Sequence, residues 1–221
     1  VFKHIMPMPT IIADCGSSWS KIRNLDVNEV LIVPTRQVLA DESIRFDVAT
    51  GHLARSRTDR YENELVALAQ GSLKLVQEDD FTVVDIGSRD TKFVRFTNRK
   101  LDKLDWNQAC GATTGFTLEL LGKYYDVDYG KLPVSDQRLP VTCGVFAIER
   151  IFDSIIQGDS AQEALAAFVH GVAFNVHTFA QKPDRLYVSG GLCANRCFLD
   201  SLWKYCEVIP LGREVLLEGL Y

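Results

Sequence analysis

The sequence has no long apolar run, no long Lys or Arg run, and no low-complexity segment or short-period repeat. Its longest apolar stretches are too short to span a bilayer, so no membrane partner is expected. Without a basic tract, and with a net charge of −5, it lacks the electrostatic footprint of a nucleic-acid-binding protein. The opening stretch, Val1 to Pro9, has neither a basic nor an apolar segment, so no secretory leader is expected and a cytoplasmic location follows. Cysteine is sparse, with six in 221 residues: Cys15, Cys110, Cys143, Cys193, Cys197 and Cys206. That spread does not suggest a disulfide framework; it reads as reduced thiols, some buried and some available as metal ligands. What remains is ordinary globular composition, 47% hydrophobic and 24% charged, enough for one large domain or two lobes sharing a hinge.

One internal similarity stands out. Thr10-Ile-Ile-Ala-Asp-Cys-Gly-Ser-Ser-Trp-Ser-Lys21 matches Thr82-Val-Val-Asp-Ile-Gly-Ser-Arg-Asp-Thr-Lys92 in layout. Each has a short apolar run, an Asp, Gly-Ser two residues later, and a Lys five residues after the Gly. Such runs, ended by Gly-Ser and followed by a second β-type run, predict β-hairpins with polar turns. Taken singly, each is an ordinary hairpin. As a repeated pair they point to phosphate binding, because Gly lets backbone N–H groups approach a polyphosphate closely. Ser17, Ser18 and Ser88 add hydroxyl donors, and Lys21 and Lys92 add charge. Asp14 and Asp85 are placed to hold Mg²⁺ directly or through water.

Helical periodicity covers Glu62–Leu75, Thr117–Tyr125, Phe146–Ile156 and Ala161–Gln181, the last followed by Pro183. Leu186–Ser189 predicts a strand, and Gly190-Gly191 leads into a helix over about Cys193–Tyr205. Val208–Pro210 predicts a closing strand. A turn of this kind offers free N–H groups to a nucleotide, with Asn195 on the helix's first turn; alone, it is also an ordinary strand-to-helix turn. The order argues α/β with two lobes.

Two phosphate hairpins and a late Gly-Gly turn, in this order, resemble the actin-like ATPase and sugar-kinase superfamily. The resemblance narrows at Asn107-Gln-Ala-Cys-Gly-Ala-Thr-Thr-Gly-Phe-Thr-Leu-Glu119, which is similar to the Cys-Ala-Ala-Gly-Thr-Gly-x-Phe-Leu-Glu segment of the 2-hydroxyacyl-CoA dehydratase activators, relatives of the benzoyl-CoA reductase ATPase subunits. Val141-Thr-Cys-Gly-Val-Phe-Ala-Ile-Glu149 is similar to the second cysteine segment of that family, and Val188-Ser-Gly-Gly-Leu-Cys-Ala-Asn195 to its Gly-Gly-Val-Ala-x-Asn turn. Phe46-Asp-Val-Ala-Thr-Gly51 also resembles a family segment.

The resemblance implies an α/β, actin-like ATPase (ribonuclease H-like) fold with a nucleotide cleft between two lobes, residues 1–80 and 81–221. It implies ATP or ADP held by Asp14, Gly16, Ser17, Ser18, Lys21, Gly87, Ser88 and Lys92, with Gly190, Gly191 and Asn195 beside adenosine. Asp85, Arg89 and Asp90 are the catalytic candidates. Cys110 and Cys143 from each of two subunits would hold one [4Fe-4S] cluster in a homodimer. The implied partners are a low-potential client metalloenzyme and a ferredoxin or flavodoxin donor. Arg89 stands where the family commonly has Gln, and Thr113 where Gly is usual, so hydrolysis timing and the surroundings of the cluster are open. Cys193 and Cys197, spaced to face one side of a helix, read as packing residues. Two rival readings share the ATPase core: an amino-sugar-type kinase with Asp90 or Asp105 as base, and a nucleotide-binding scaffold without turnover.

Overall fold

Both hairpin segments found in the sequence form, and each starts a five-stranded mixed sheet. The structure is a computed structural model that describes residues 10–107, 115–141 and 144–221, with 144–146 described by their backbone alone. Contacts divide the chain into two units: the chain up to Leu75 together with Glu214–Tyr221, and Val76–Arg213.

In the first unit, β1 (Ile11–Cys15), β2 (Trp19–Asn24) and β3 (Glu29–Pro34) form an antiparallel meander. α1 (Thr35–Ala40) leads to β4 (Phe46–Thr50), which lies parallel to β1, and β5 (Thr58–Tyr61) extends the sheet beside β4. Ala13, Cys15, Val38, Phe46, Ala49 and Ala54 form one core. α2 (Glu64–Leu75) packs against α7 (Val215–Glu218), which also touches β1 and β2.

The division drawn from the sequence left the last residues with the second lobe. They join the first unit, where Val215, Leu216 and Leu217 are buried as α7 packs on α2, and where buried Arg23 on β2 takes partners from them. Its guanidinium donates to Glu214 Oε2 and Glu218 Oε1, both at 2.5 Å, and to the Tyr221 hydroxyl at 3.0 Å. A cation this deep is tolerated only with such partners.

The second unit repeats the topology. β6 (Phe81–Ile86), β7 (Thr91–Thr97) and β8 (Lys100–Asn107) form the meander; β9 (Arg185–Gly190) lies parallel to β6, and β10 (Glu207–Gly212) parallel to β9. The orders β3-β2-β1-β4-β5 and β8-β7-β6-β9-β10 are therefore equivalent. β6 is buried along its whole length, which its Val-Val and Ile residues suit; full burial of each stabilises by about 1.5–3 kcal/mol.

The connection from β8 to β9 carries α3 (Gly115–Tyr124), α4 (Gly144–Ile156) and α5 (Ala161–Phe179). α5 starts at a capping box in which Ser160 Oγ accepts from Glu163 N and the Glu163 carboxylate accepts from Ser160 N. The helix expected over Cys193–Tyr205 is broken in two. Residues Gly191–Ala194 form a 3₁₀ turn, Asn195 is extended, and α6 runs over Arg196–Trp203. None of the helices among the described residues is long and apolar enough to cross a membrane.

Candidate functional site

At the first hairpin, β-pairing sets Asp14 opposite Lys21 and Cys15 opposite Ser20, leaving Gly16, Ser17 and Ser18 as the turn. In-register neighbours share a sheet face, and Lys21 Nζ donates to Asp14 Oδ2 at 2.5 Å. Sequence reasoning missed Thr35, which fixes this turn from the start of α1. Thr35 N donates to Ser18 O at 2.8 Å, and its hydroxyl donates to Gly16 O at 2.7 Å while lying 2.9 Å from Ser20 Oγ. Its only sequence signal was a hydroxyl residue straight after Pro34. On the far side, β4 brings Thr50 beside Asp14. Gly51 follows at φ +94°, where a Cβ would lie 2.3 Å from Cys15 O, so the β4 end can press onto β1 only through glycine.

At the second hairpin, Asp85 faces Lys92 and the turn closes with Gly87 N donating to Asp90 O at 2.9 Å. The side chains pair differently here. Asp85 Oδ1 accepts from Ser189 Oγ at 2.7 Å. Lys92, almost wholly buried, donates instead to Asp90 Oδ1 at 2.8 Å and lies 5.0 Å from the Trp106 ring centre. Trp106 Nε1 donates to Asp90 Oδ2 at 2.8 Å. Both Asp90 oxygens thus carry donors, and its carboxylate is set up to hold the turn. Ser88 is half-buried and Arg89 exposed. The start of α3 is fastened to the same turn, with Gly115 N donating to Gly87 O and Phe116 N to Ser88 O, each at 3.1 Å. Ser189 and Trp106 were not singled out from sequence, because only sheet register brings them to the two aspartates.

The Gly-Gly turn separates its two glycines. Gly190 ends β9 at φ 92° and ψ −167°, a region open in practice to glycine alone, and a Cβ there would lie 2.4 Å from Ile86 O. Gly191 is exposed, and a Cβ on it would meet nothing within 4 Å. Asn195 is the N-cap of α6, its side-chain oxygen accepting from Phe198 N at 2.9 Å.

The cysteines fall into two sets. Cys110 and Cys143, the candidate cluster ligands, lie outside the described residues. Cys15, Cys193, Cys197 and Cys206 are free and wholly or largely buried. Burial, with Asp14 adding to it, pushes the Cys15 thiol up to about 12. Burial pushes Cys193, Cys197 and Cys206 up to about 11. Burial thus disfavours the thiolate form at all four. Cys193 and Cys197 do not share a helix face as their spacing suggested. The break at Asn195 sends Cys193 Sγ to Val188 O at 2.8 Å and Cys197 Sγ to Pro133 O at 3.7 Å. Among the described residues no cluster of three or more His, Cys, Asp or Glu could hold a metal ion.

No family model matches the chain. It is 26% identical over 166 residues to the (R)-2-hydroxyglutaryl-CoA dehydratase activating ATPase of Acidaminococcus fermentans, covering 70% of this chain and 64% of that protein. It is 28% identical over 169 residues to the 2-hydroxyisocaproyl-CoA dehydratase activator of Clostridioides difficile, covering 71% and 63%. The chain thus spans somewhat under two thirds of the length of these curated relatives. Among solved structures, the Clostridium difficile activator with bound ADPNP superposes with a TM-score of 0.75 at 22% identity, over 96% of this chain and 92% of that one. The Acidaminococcus fermentans dehydratase component A gives 0.74 at 22% identity, over 97% and 95%. The ethanolamine utilization protein EutJ of Carboxydothermus hydrogenoformans gives 0.54 at 14% identity, over 100% and 91%, and shares the fold alone. The chain is a homologue of the 2-hydroxyglutaryl-CoA dehydratase activators and has the actin-like ATPase fold.

Proposed function

We propose that this chain is an ATP-hydrolysing reductive activator, coupling nucleotide binding and turnover to low-potential electron delivery to a client metalloenzyme. The observation that carries the reading is the Asp-x-Gly-Ser hairpin, present at the same place in two equivalent sheets of a chain whose relatives are named dehydratase activators. In this reading Gly16, Ser17, Ser18, Gly87 and Ser88 hold phosphates, and Lys21 adds charge. Asp14 and Asp85 hold hydrated Mg²⁺. Lys92 and Asp90 act through the shape of the second turn, because each is committed to the other. Arg89, exposed on that turn, balances phosphate charge. Gly191 lies beside adenosine, with Gly190 and Asn195 shaping the turn beneath it.

A [4Fe-4S] cluster shared by a homodimer would rest on Cys110 and Cys143 of each subunit, and when bound it supplies a low-potential one-electron store. A ferredoxin or flavodoxin in the cytoplasm is the matching donor. A kinase with Asp90 as its base is less favoured, since both of its carboxylate oxygens already accept hydrogen bonds.

The test is anaerobic purification, with iron, sulfide and Mg²⁺-dependent ATP hydrolysis measured for the wild type, Cys110→Ala and Cys143→Ala. About four irons per dimer, lost in either variant, together with ATP hydrolysis, is the expected result. An ATPase that stays iron-free after reconstitution removes electron delivery and leaves a kinase or scaffold. A protein that binds no ATP removes the whole reading.

A further inference from the structure

Because the two sheets share a topology, residues around the first turn have counterparts around the second. Asp14 corresponds to Asp85, Lys21 to Lys92, Thr50 to Ser189 and Gly51 to Gly190. In each unit the aspartate is flanked in register by a lysine on its antiparallel neighbour and a hydroxyl residue on its parallel neighbour. The hydrogen bonding differs. In the second unit Ser189 Oγ donates to Asp85 and the lysine has turned to Asp90. In the first, Lys21 holds Asp14, and Thr50 is 0% exposed with a hydroxyl that has no hydrogen-bond partner. An orphaned buried hydroxyl is costly and rare. Ser189 demonstrates that a hydroxyl at this register position reaches the aspartate across the parallel pair.

We propose that Thr50 is a positioning residue of the first phosphate turn, whose hydroxyl takes over the Asp14 carboxylate when Lys21 turns from Asp14 to the phosphates of bound Mg²⁺–nucleoside triphosphate. In the occupied first site Asp14 then accepts from the hydroxyl on its parallel neighbour, as Asp85 already accepts from Ser189. Lys21 is the lysine suited to this exchange: its side chain keeps 14% exposure, against 3% for Lys92, which Asp90 and the Trp106 ring enclose. Thr50 meanwhile keeps Asp14 hydrogen-bonded and oriented toward the hydrated cation. The proposal deepens the ATP-binding reading and rests on it.

The test is calorimetric titration of the full chain with Mg²⁺–ADPNP and, separately, with adenosine, for the wild type, Thr50→Val and Thr50→Ser. Thr50→Val is expected to melt at or above the wild-type temperature, since an unsatisfied donor is gone. Its Mg²⁺–ADPNP affinity is expected to fall about 10-fold or more, with adenosine affinity within about 2-fold of wild type. Thr50→Ser restores the hydroxyl and is expected to bind Mg²⁺–ADPNP within about 3-fold of wild type. Thr50→Ala serves in place of Thr50→Val if the latter misfolds. Wild-type affinity in the hydroxyl-free variant overturns the proposal, and so does an equal loss for adenosine or for Thr50→Ser, because either would reflect lost shape. A wild type that binds no Mg²⁺–ADPNP instead overturns the ATP-binding reading itself.

Discussion

Replacing Gly190 and Gly191 one at a time with alanine separates backbone demand from ligand contact in the late glycine turn. At Gly190 the backbone sits at φ 92° and ψ −167°, and an added Cβ would lie 2.4 Å from Ile86 O and 2.9 Å from Ile86 N. Conformational strain for a non-glycine residue there costs about 1–3 kcal/mol. The contact is with backbone of the central strand β6, so relief requires β9 to shift against β6, bringing the total to about 3 kcal/mol. For a chain of this size that lowers the melting temperature by about 6–12 °C. Gly191→Ala meets no atom within 4 Å. It is expected to melt within about 1 °C of wild type, surface substitutions typically being near neutral. Melting followed by far-UV circular dichroism, with ADPNP and adenosine titrations on both variants, checks this. If Gly190→Ala melts with the wild type, the strain argument is wrong. If Gly191→Ala binds adenosine as the wild type does, Gly191 has no place beside adenosine.

Other consequences follow from the side-chain networks. Trp106→Phe keeps a ring over Lys92 but removes the donor to Asp90 Oδ2. A hydrogen bond to a charged group is worth about 2 kcal/mol, so a fall of about 4–8 °C is expected, with faster amide exchange in β8; unchanged exchange there would show that the indole does not tie β8 to the turn. Arg23→Met leaves Glu214 and Glu218 without their cation, and since these carboxylates are partly exposed the cost should be about 2 kcal/mol, read as a lower melting temperature and faster proteolysis after residue 213. The buried thiols set an alkaline limit. Their pKa values are raised from 9.0 to about 11 for Cys193, Cys197 and Cys206 and to about 12 for Cys15. The unfolded chain therefore loses these protons first, and stability that is intact below pH 9.0 declines as pH rises toward 11 and 12. A urea midpoint that held constant from pH 8 to about 10.5 would contradict this.

The hairpins were legible because their information is local: an apolar run, an Asp, a Gly-Ser turn and a second run occupy a dozen residues. α2 and α5 were legible for the same reason, and the observed α5, Ala161–Phe179, ends two residues short of its expected limit. The break before α6 was available in principle, since Asn195 is a favoured N-cap type three residues before Phe198, but apolar periodicity running through Cys193 and Cys197 masked it. The pairing of Asp85 with Ser189 spans 104 residues and depends on β6 lying beside β9. No local pattern encodes that register, and the same is true of Thr50 beside Asp14. Asp90 looked like a free acid in sequence because its cross-strand neighbourhood, with Trp106 on β8, appears only once the meander is folded.

The return of α7 to the first unit makes Val76–Arg213 an insertion within it. The host unit is therefore completed only by residues from beyond the insertion, which bring α7 and the two carboxylates that satisfy Arg23. A deletion of residues 214–221 should accordingly damage the unit that begins the chain and spare the one immediately upstream of the cut.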